Sequence, residues 1–186
     1  RRQRQMCIRD RSRMFLEEPP EELAMDMLNK SFFSNLKPFC LNREMEKGLE
    51  IIKNFSEKFS NTEELAEALR REYTELFLIP PKPPVSLYEA HYSGEKATHV
   101  LLRLNDFYRK AGLQKAKEYR EREDHLALEL EFMYILCEKK SKLKREFLAH
   151  LNSWVPKAMD EIINNHRAEF YKGIAYLTKG SLKLEV

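Results

Sequence analysis

Apolar residues recur at helical spacing along most of this chain. Leu65, Leu69 and Tyr73, for example, fall on one face of a helix that we expect to begin after Asn61. Asn61 and Glu64 have the spacing of a capping box, which marks a helix start. In chain order, the pattern predicts helices over about 21–36, 43–59, 62–77, 95–111, 115–140, 142–153 and 156–178.

The predicted helix that contains residues 126–137 is apolar over more than one stripe. Leu126, Leu130 and Met133 form one stripe, and Leu128 and Phe132 belong to the stripe beside it. A helix that is apolar over so wide an arc is expected at the centre of a bundle. The fold class predicted is therefore all-α, a single-domain helical bundle.

The positions of proline and glycine along the chain support this interpretation. Four of the five residues 80–84 are proline, so the chain must run extended there, and we expect a Pro-rich loop near residues 80–88. A domain linker is the alternative, because Pro-rich segments also act as semi-rigid spacers. Gly112 is expected to stop the helix before it, Pro38 to end the first helix, and Pro156 to open the last one.

The positive net charge of +3 comes from the first residues. Residues 1–13 hold six arginines and one aspartate, whereas the remaining residues sum to −2. We expect residues 1–13 to be a disordered or non-native basic arm and residues 14–186 to be an all-helical domain. A helical nucleic-acid-binding protein would explain the arm but not the acidic body, so no nucleic acid is predicted as a partner.

Cysteine usage and hydropathy bear on the compartment. The three cysteines have no Cys-x-x-Cys spacing, which favours a reducing, cytoplasmic location. No stretch free of Asp, Glu, Lys and Arg approaches the roughly 20 residues of a membrane span, so no stable membrane association is expected.

An acidic run with one histidine stands immediately before the most apolar segment. We expect these side chains to lie in the first turn of a helix, with Asp124 capping its free N–H groups. They would form the polar rim of a groove that binds a basic ligand. The residues concerned are Glu121, Glu123, Asp124 and His125.

Tyr88, Glu89 and Tyr92 follow the prolines and offer rings, a hydroxyl and a carboxylate on an ordered loop. Together with the acidic run they form the predicted peptide-binding set. The plainer alternatives are ordinary loop packing for the tyrosines and, for His125, a histidine at the edge of the core that is hydrogen-bonded to a carboxylate.

Motifs for catalysis are missing from the sequence. It contains no Gly-x-Ser-x-Gly, P-loop or Gly-x-Gly-x-x-Gly, and five glycines leave little material for phosphate loops. A His-Asp type metal-dependent hydrolase would need a His-Asp doublet, and the chain has only the reverse order at Asp124-His125. A metal at Glu121, His125 and Glu129, spaced i, i+4 and i+8, lacks further ligands. We therefore predict no enzyme activity, no cofactor and no metal.

Three blocks, in order along residues 21 to 180, carry a family resemblance. The run from Glu121 to His125 resembles the Glu-Pro-Glu-Asp-His segment of the TorD/DmsD/NarJ family of redox-enzyme maturation chaperones, with Arg122 in place of proline. Residues 72–77 with the proline loop and Tyr88-Glu89-Ala90 are similar to the family's Tyr-x-x-Leu-Phe and Pro-Pro-x-Glu-Ser pattern. Residues 150–156 resemble its His-Leu-x-x-Trp-x-Pro close, in which we expect Trp154 in the core.

The resemblance implies a chaperone that binds peptide and performs no bond chemistry. Its client would be a molybdoenzyme catalytic subunit, often with a twin-arginine signal peptide, held in the cytoplasm until the molybdenum cofactor is inserted. A nitrate-reductase-type assembly factor for a non-exported client is the alternative within the family. The resemblance also implies a monomer or a domain-swapped homodimer, with the proline loop as a candidate hinge.

Overall fold

The computed structural model describes residues 12–115 and 120–184, and these residues form helices joined by loops, without a β-strand. Residues 12–16 are helical. The helices that follow are α1 (Glu21–Leu28), α2 (Ser31–Leu36), α3 (Arg43–Ser56), α4 (Thr62–Phe77), α5 (Glu89–Tyr92), α6 (Ala97–Lys110), α7 (Leu126–Glu138), α8 (Lys144–Asn164) and α9 (Phe170–Leu182), with a 3₁₀ turn at Lys37–Phe39. The predicted all-α fold is confirmed.

The described residues divide into two compact units. The first contains residues 12–15, 87–115 and 120–157, and the second contains residues 16–86 and 158–184. A boundary between the units therefore follows the proline loop directly, after Ser86. Residues 1–11 of the predicted arm lie outside the described residues, and the division into an arm and a domain at residue 13 stays a prediction.

The second unit is organised around the close approach of α3 and α9. A Cβ atom built on Gly48 would lie 2.6 Å from the carbonyl oxygen of Gly173, so only glycine permits this backbone contact. Asn42 ties the same two helices together at one end. Its Oδ1 accepts from the N–H of Met45 at the start of α3, and its Nδ2 donates to the carbonyl of Gly180 in α9.

A buried carboxylate caps the start of α9. The oxygens of Glu72, from α4, accept hydrogen bonds from the backbone N–H groups of Glu169, Phe170 and Tyr171 at 2.8–3.0 Å. These donors have no partner within their own helix, and the positive end of the helix dipole favours an acid there. Burial is the largest influence on Glu72 and raises its pKa to about 7, against the lowering effect of the three N–H donors.

Several predicted helix boundaries are confirmed. Asn61 accepts from the N–H of Glu64 at the start of α4. Gly112, at φ 67°, follows the end of α6, and the N–H of Leu113 donates to the carbonyl of Tyr108 as in a Schellman motif. The proline segment 80–84 is a non-helical loop, as predicted, but it bends and does not run extended.

Three other predicted boundaries are wrong. The helix expected over 21–36 is broken at Lys30, whose φ of 61° is left-handed. Pro156 lies inside α8 and does not begin a new helix. The carbonyl that loses a partner there belongs to exposed Asn152, where water can replace the missing N–H. The chain leaves this helix at Asn165, whose side chain accepts from the N–H of Arg167 in a tight turn.

The third correction concerns the start of the central helix. α7 begins at Leu126, and residues 113–115 and 120–125 are not helical. This segment instead pairs with the chain after the proline loop, as described below. Eight of the thirteen residues of α7 are buried, as expected for a central helix. Among the helices of the described residues, none combines the length and apolarity that crossing a bilayer requires.

Candidate functional site

An isolated antiparallel bridge between Tyr88 and His125 organises the candidate site in the first unit. The N–H of Glu89 donates to the carbonyl of Asp124 at 2.9 Å, and the N–H of Leu126 donates to that of Leu87 at 2.8 Å. Two loops distant in sequence are thereby fixed side by side. Of the tyrosine block (Tyr88, Glu89 and Tyr92), this pairing places Tyr88 and Glu89 beside the acidic run (residues 121–125).

His125 is the N-cap of α7, where the sequence had led us to expect Asp124. Its Nδ1 atom accepts a hydrogen bond from the N–H of Ala127 at 3.2 Å. The side chain is buried, and burial lowers its pKa to about 4, so the imidazole is neutral at pH 7. Neutrality is what its capping role needs, because a protonated Nδ1 cannot accept. The Tyr88 ring packs against it in an edge-to-face arrangement, with centroids 5.1 Å apart.

Asp124 is also buried, so the expectation that it lies open on the rim of a groove is wrong. Its two oxygens accept from Nε and Nη2 of Arg122 at 2.9 and 2.8 Å, and Oδ2 also accepts from the N–H of Ala90 at 3.3 Å. In this conformation, therefore, neither Asp124 nor His125 presents an exposed polar group to a ligand. The hydrogen bond to Asp124 raises the pKa of Arg122.

Tyr88, Glu121 and Glu123 lie at the partly exposed edge of the same site. The Tyr88 hydroxyl donates to the Glu121 carboxylate, and burial followed by this bond raises the pKa of the tyrosine. Lys115 approaches Glu123 at 3.6 Å and donates to the carbonyl of Glu121 at 2.6 Å. This edge offers a ring and two carboxylates, one of them already opposite a lysine.

Behind the edge lies a buried ionic cluster that the predicted set did not include, apart from Glu89. Nε2 of His150 lies 3.1 Å from Oε2 of Glu89 and 3.2 Å from Oε2 of Glu129. Arg103 donates to Oε1 of Glu89 at 2.7 Å, and the Trp154 indole N–H donates to Oε2 of Glu129 at 3.1 Å. Trp154 is fully buried, as expected. The cluster fixes α5, α6, α7 and α8 against one another within this unit.

Burial and pairing set the charges of this cluster. Burial disfavours the charged forms of Glu89 and His150, but contacts with oppositely charged groups outweigh this effect. His150 and Arg103 lower the pKa of Glu89, and the two carboxylates of Glu129 and Glu89 raise the pKa of His150 to about 9. Burial raises the pKa of Glu129 to about 7. Within the described residues, its Oε1 atom has no hydrogen-bond partner. His150 is thus a buried cation held between two carboxylates.

The same three side chains are the donor set most suited to a metal ion among the described residues. One ligand atom each from Glu89, Glu129 and His150 lies within 4.8 Å of the others. The trio considered from sequence, Glu121, His125 and Glu129, is not formed because α7 begins only after His125. Arg103 and the protonated imidazole already supply the positive charge that a cation would bring.

Tyr92 lies apart from the acidic edge. Its ring stacks on Trp154, with centroids 5.9 Å apart and planes inclined by 23°, and its carbonyl accepts from Lys157 at 3.3 Å.

The sequence signal that could have identified the ionic cluster is the pair His150 and Trp154. These residues are spaced i, i+4 on α8, and both contact Glu129.

Comparisons with known proteins agree with this architecture. The chain is 28% identical over 162 residues to a perchlorate reductase assembly chaperone protein of Dechloromonas aromatica, covering 73% of this chain and 71% of that protein. It is 26% identical over 161 residues to the chaperone protein TorD of Photobacterium profundum, covering 78% and 74%. A crystal structure of a candidate redox enzyme maturation protein from Archaeoglobus fulgidus matches with a TM-score of 0.60 at 20% identity, covering 95% of this chain and 92% of that one, which supports the fold.

The family assignment comes from a family model. The model described as nitrate reductase delta subunit matches residues 40–172, well over half of the chain. This range includes α5, α6, α7 and α8, and therefore both the bridge and the ionic cluster. The resemblance to the TorD/DmsD/NarJ family is confirmed, and the chain belongs to the nitrate reductase delta subunit family.

Proposed function

We propose that this protein is a maturation chaperone that binds a subunit of a redox enzyme before that enzyme is complete. The observation that carries the proposal is the family match over residues 40–172, together with one relative named as a perchlorate reductase assembly chaperone and another named as a chaperone protein. The role is one of binding without bond chemistry. The cytoplasm is the compartment we propose for it, before any export of the client.

The client proposed is a molybdoenzyme catalytic subunit with a twin-arginine signal peptide. Such a segment presents guanidinium groups followed by apolar side chains. Glu121 and Glu123 would attract the guanidinium groups, and Tyr88 would supply a ring for stacking. Tyr92 would lie along the apolar part. Glu89, Asp124 and His125 are buried in the free protein, and they support this surface from beneath through the bridge and the ionic cluster.

Isothermal titration calorimetry tests this surface. The probe is a synthetic peptide with two adjacent arginines followed by an apolar segment, titrated into the full chain. Replacing both Glu121 and Glu123 by glutamine should weaken binding about tenfold, at roughly 0.5–1 kcal/mol for each half-exposed ion pair. Glu138→Gln with Glu146→Gln is the matched control, because it removes the same charge from exposed positions in the same unit. Equal affinities of the two double variants would refute the surface.

A second candidate is an assembly factor for a nitrate-reductase-type enzyme that is not exported. The description of the matching family favours it. The two candidates differ in the client, so pull-down from native cytosol with identification of the client by mass spectrometry separates them. A client with a twin-arginine segment supports the first, and one without an export signal supports the second.

Whether the protein is a monomer or a domain-swapped homodimer stays a prediction, which light scattering of the purified chain would test.

A further inference from the structure

The guanidinium group of Arg122 covers the carboxylate of Asp124. Nε and Nη2 donate to the two carboxylate oxygens at 2.9 and 2.8 Å, so the contact is a two-point fork. The Arg122 side chain is 48% exposed, whereas that of Asp124 is 0% exposed. Two parallel bonds of this kind are the geometry in which proteins bind an arginine side chain selectively.

The surroundings of Arg122 complete a guanidinium site. Its guanidinium carbon lies 4.8 Å from the centroid of the Tyr88 ring, within the range of a cation–π contact. The ring is fixed because its hydroxyl donates to Glu121 and its backbone pairs with His125. A buried carboxylate and a fixed ring therefore converge where one arginine of the chain itself is bound.

We propose that this is a binding site for an arginine side chain of the client, and that Arg122 occupies it in the free protein as an internal competitor. The inference rests on the proposed function and specifies which part of the surface binds an arginine side chain. It also explains how Asp124 can take part in recognition although it is buried: the group that buries it resembles the ligand.

Arg122 can leave this site without dismantling the fold. It belongs to the non-helical segment before α7, and about half of its side chain already contacts solvent. The N–H of Ala90 remains bonded to Asp124 when the guanidinium swings out. Because Arg122 is tethered two residues from Asp124, its effective concentration is high, on the order of millimolar or above. A client arginine displaces it only when other parts of the client also bind.

The test compares Arg122→Ala with the wild-type chain by calorimetry, using the peptide with two adjacent arginines and a second peptide with lysines in their place. Arg122→Ala should bind the arginine peptide about tenfold more tightly than wild type, the ratio expected if the site is open about a tenth of the time. The gain should be absent with the lysine peptide and in the double variant Arg122→Ala, Asp124→Asn. Arg109→Ala is the matched control, since Arg109 is an exposed arginine of the same unit.

The outcomes separate the two proposals. If wild type binds the arginine peptide and folded Arg122→Ala binds it no more tightly, the internal competitor is refuted while the proposed function stands. If neither protein binds the peptide, the internal competitor and the twin-arginine client both fail, and the second candidate client is favoured. Tighter binding by Arg122→Ala that is retained with the lysine peptide also refutes an arginine-reading site.

A measurement on the wild-type chain keeps the inference testable if Arg122→Ala does not fold. The Nε–H signal of Arg122 in a nitrogen-15 spectrum, identified by its loss in Arg122→Lys, reports the bond to Asp124. Saturation with the arginine peptide should move this signal to the position of a solvated arginine, and the lysine peptide should leave it in place. An unchanged signal at saturation with the arginine peptide would overturn the inference.

Discussion

Nε2 of His150 lies 3.2 Å from Oε2 of Glu129, a carboxylate whose side chain has no exposed surface. The second carboxylate of the cluster, from Glu89, lies 3.1 Å from the same nitrogen. One cation therefore separates two buried acids. We expect its removal to affect stability more than the loss of a surface ion pair, because the partners left behind remain buried.

Replacing His150 by alanine should lower the free energy of unfolding by roughly 3–5 kcal/mol, the cost of breaking a buried ion pair from one side. Urea denaturation at pH 7 measures this change. His99→Ala is the control, because His99 is exposed on α6 in the same unit, and its effect should stay within about 0.5 kcal/mol. Similar unfolding midpoints for the two variants would contradict an ionic role for His150.

The same contact predicts how His150 titrates. Its pKa is raised to about 9, so the folded protein holds this proton in the range from 6.5 to 9 where the unfolded chain releases it. The resulting stabilisation is fully present below pH 6.5 and is lost as the pH rises through about 9. Nitrogen-15 shifts of the imidazole, followed from pH 6 to pH 10, measure the midpoint directly. A midpoint below 7 would contradict the assignment of a buried cation.

The fold could be predicted from the sequence where helix patterning is strong and local. The helix start at Asn61 depends on a hydrogen bond between residues only three apart, from the N–H of Glu64 to the Asn61 side chain. Gly112 ends a helix through its own positive φ angle. The prediction at Pro156 was wrong because the lost hydrogen bond falls on the exposed carbonyl of Asn152, which is accessible to water. The turn at Asn165 depends on one side-chain oxygen and has no periodic signal.

The candidate site could be predicted only in part, because its contacts join residues far apart in sequence. The acidic run and the tyrosine block are visible along the chain, but the bridge between Tyr88 and His125 is not. That bridge stops α7 from extending back over residues 121–124, and it explains why Asp124 is neither a helix cap nor an open rim. The pairing of Glu89 with His150 likewise has no local pattern.

The cap supplied by Glu72 leads to a prediction for the second unit. Glu72→Ala would leave three N–H groups at the start of α9 without an acceptor, and we expect a loss of about 2 kcal/mol in unfolding free energy. Glu72→Gln keeps one acceptor oxygen and should lose less. Chemical denaturation of both variants, with Glu67→Ala on the exposed face of α4 as control, tests the ranking. Equal effects of the alanine variants at 67 and 72 would contradict the capping role.

For His125 we expect a pH dependence of the unfolding free energy opposite to that for His150. Its pKa is lowered to about 4 by burial, so the unfolded chain takes up a proton below 6.5 that the folded protein does not accept. The free energy of unfolding should therefore decrease as the pH falls, by about 1.5 kcal/mol between pH 6.5 and pH 5, since the slope reaches 1.36 kcal/mol per pH unit only well below 6.5. His125→Asn separates this effect from that of other acids, because asparagine can still accept from the N–H of Ala127 but does not titrate. Unfolding free energies of both proteins at pH 6.5 and pH 5 should show the wild type losing about 1.5 kcal/mol more than the variant. Parallel losses would show that His125 is not a buried neutral cap.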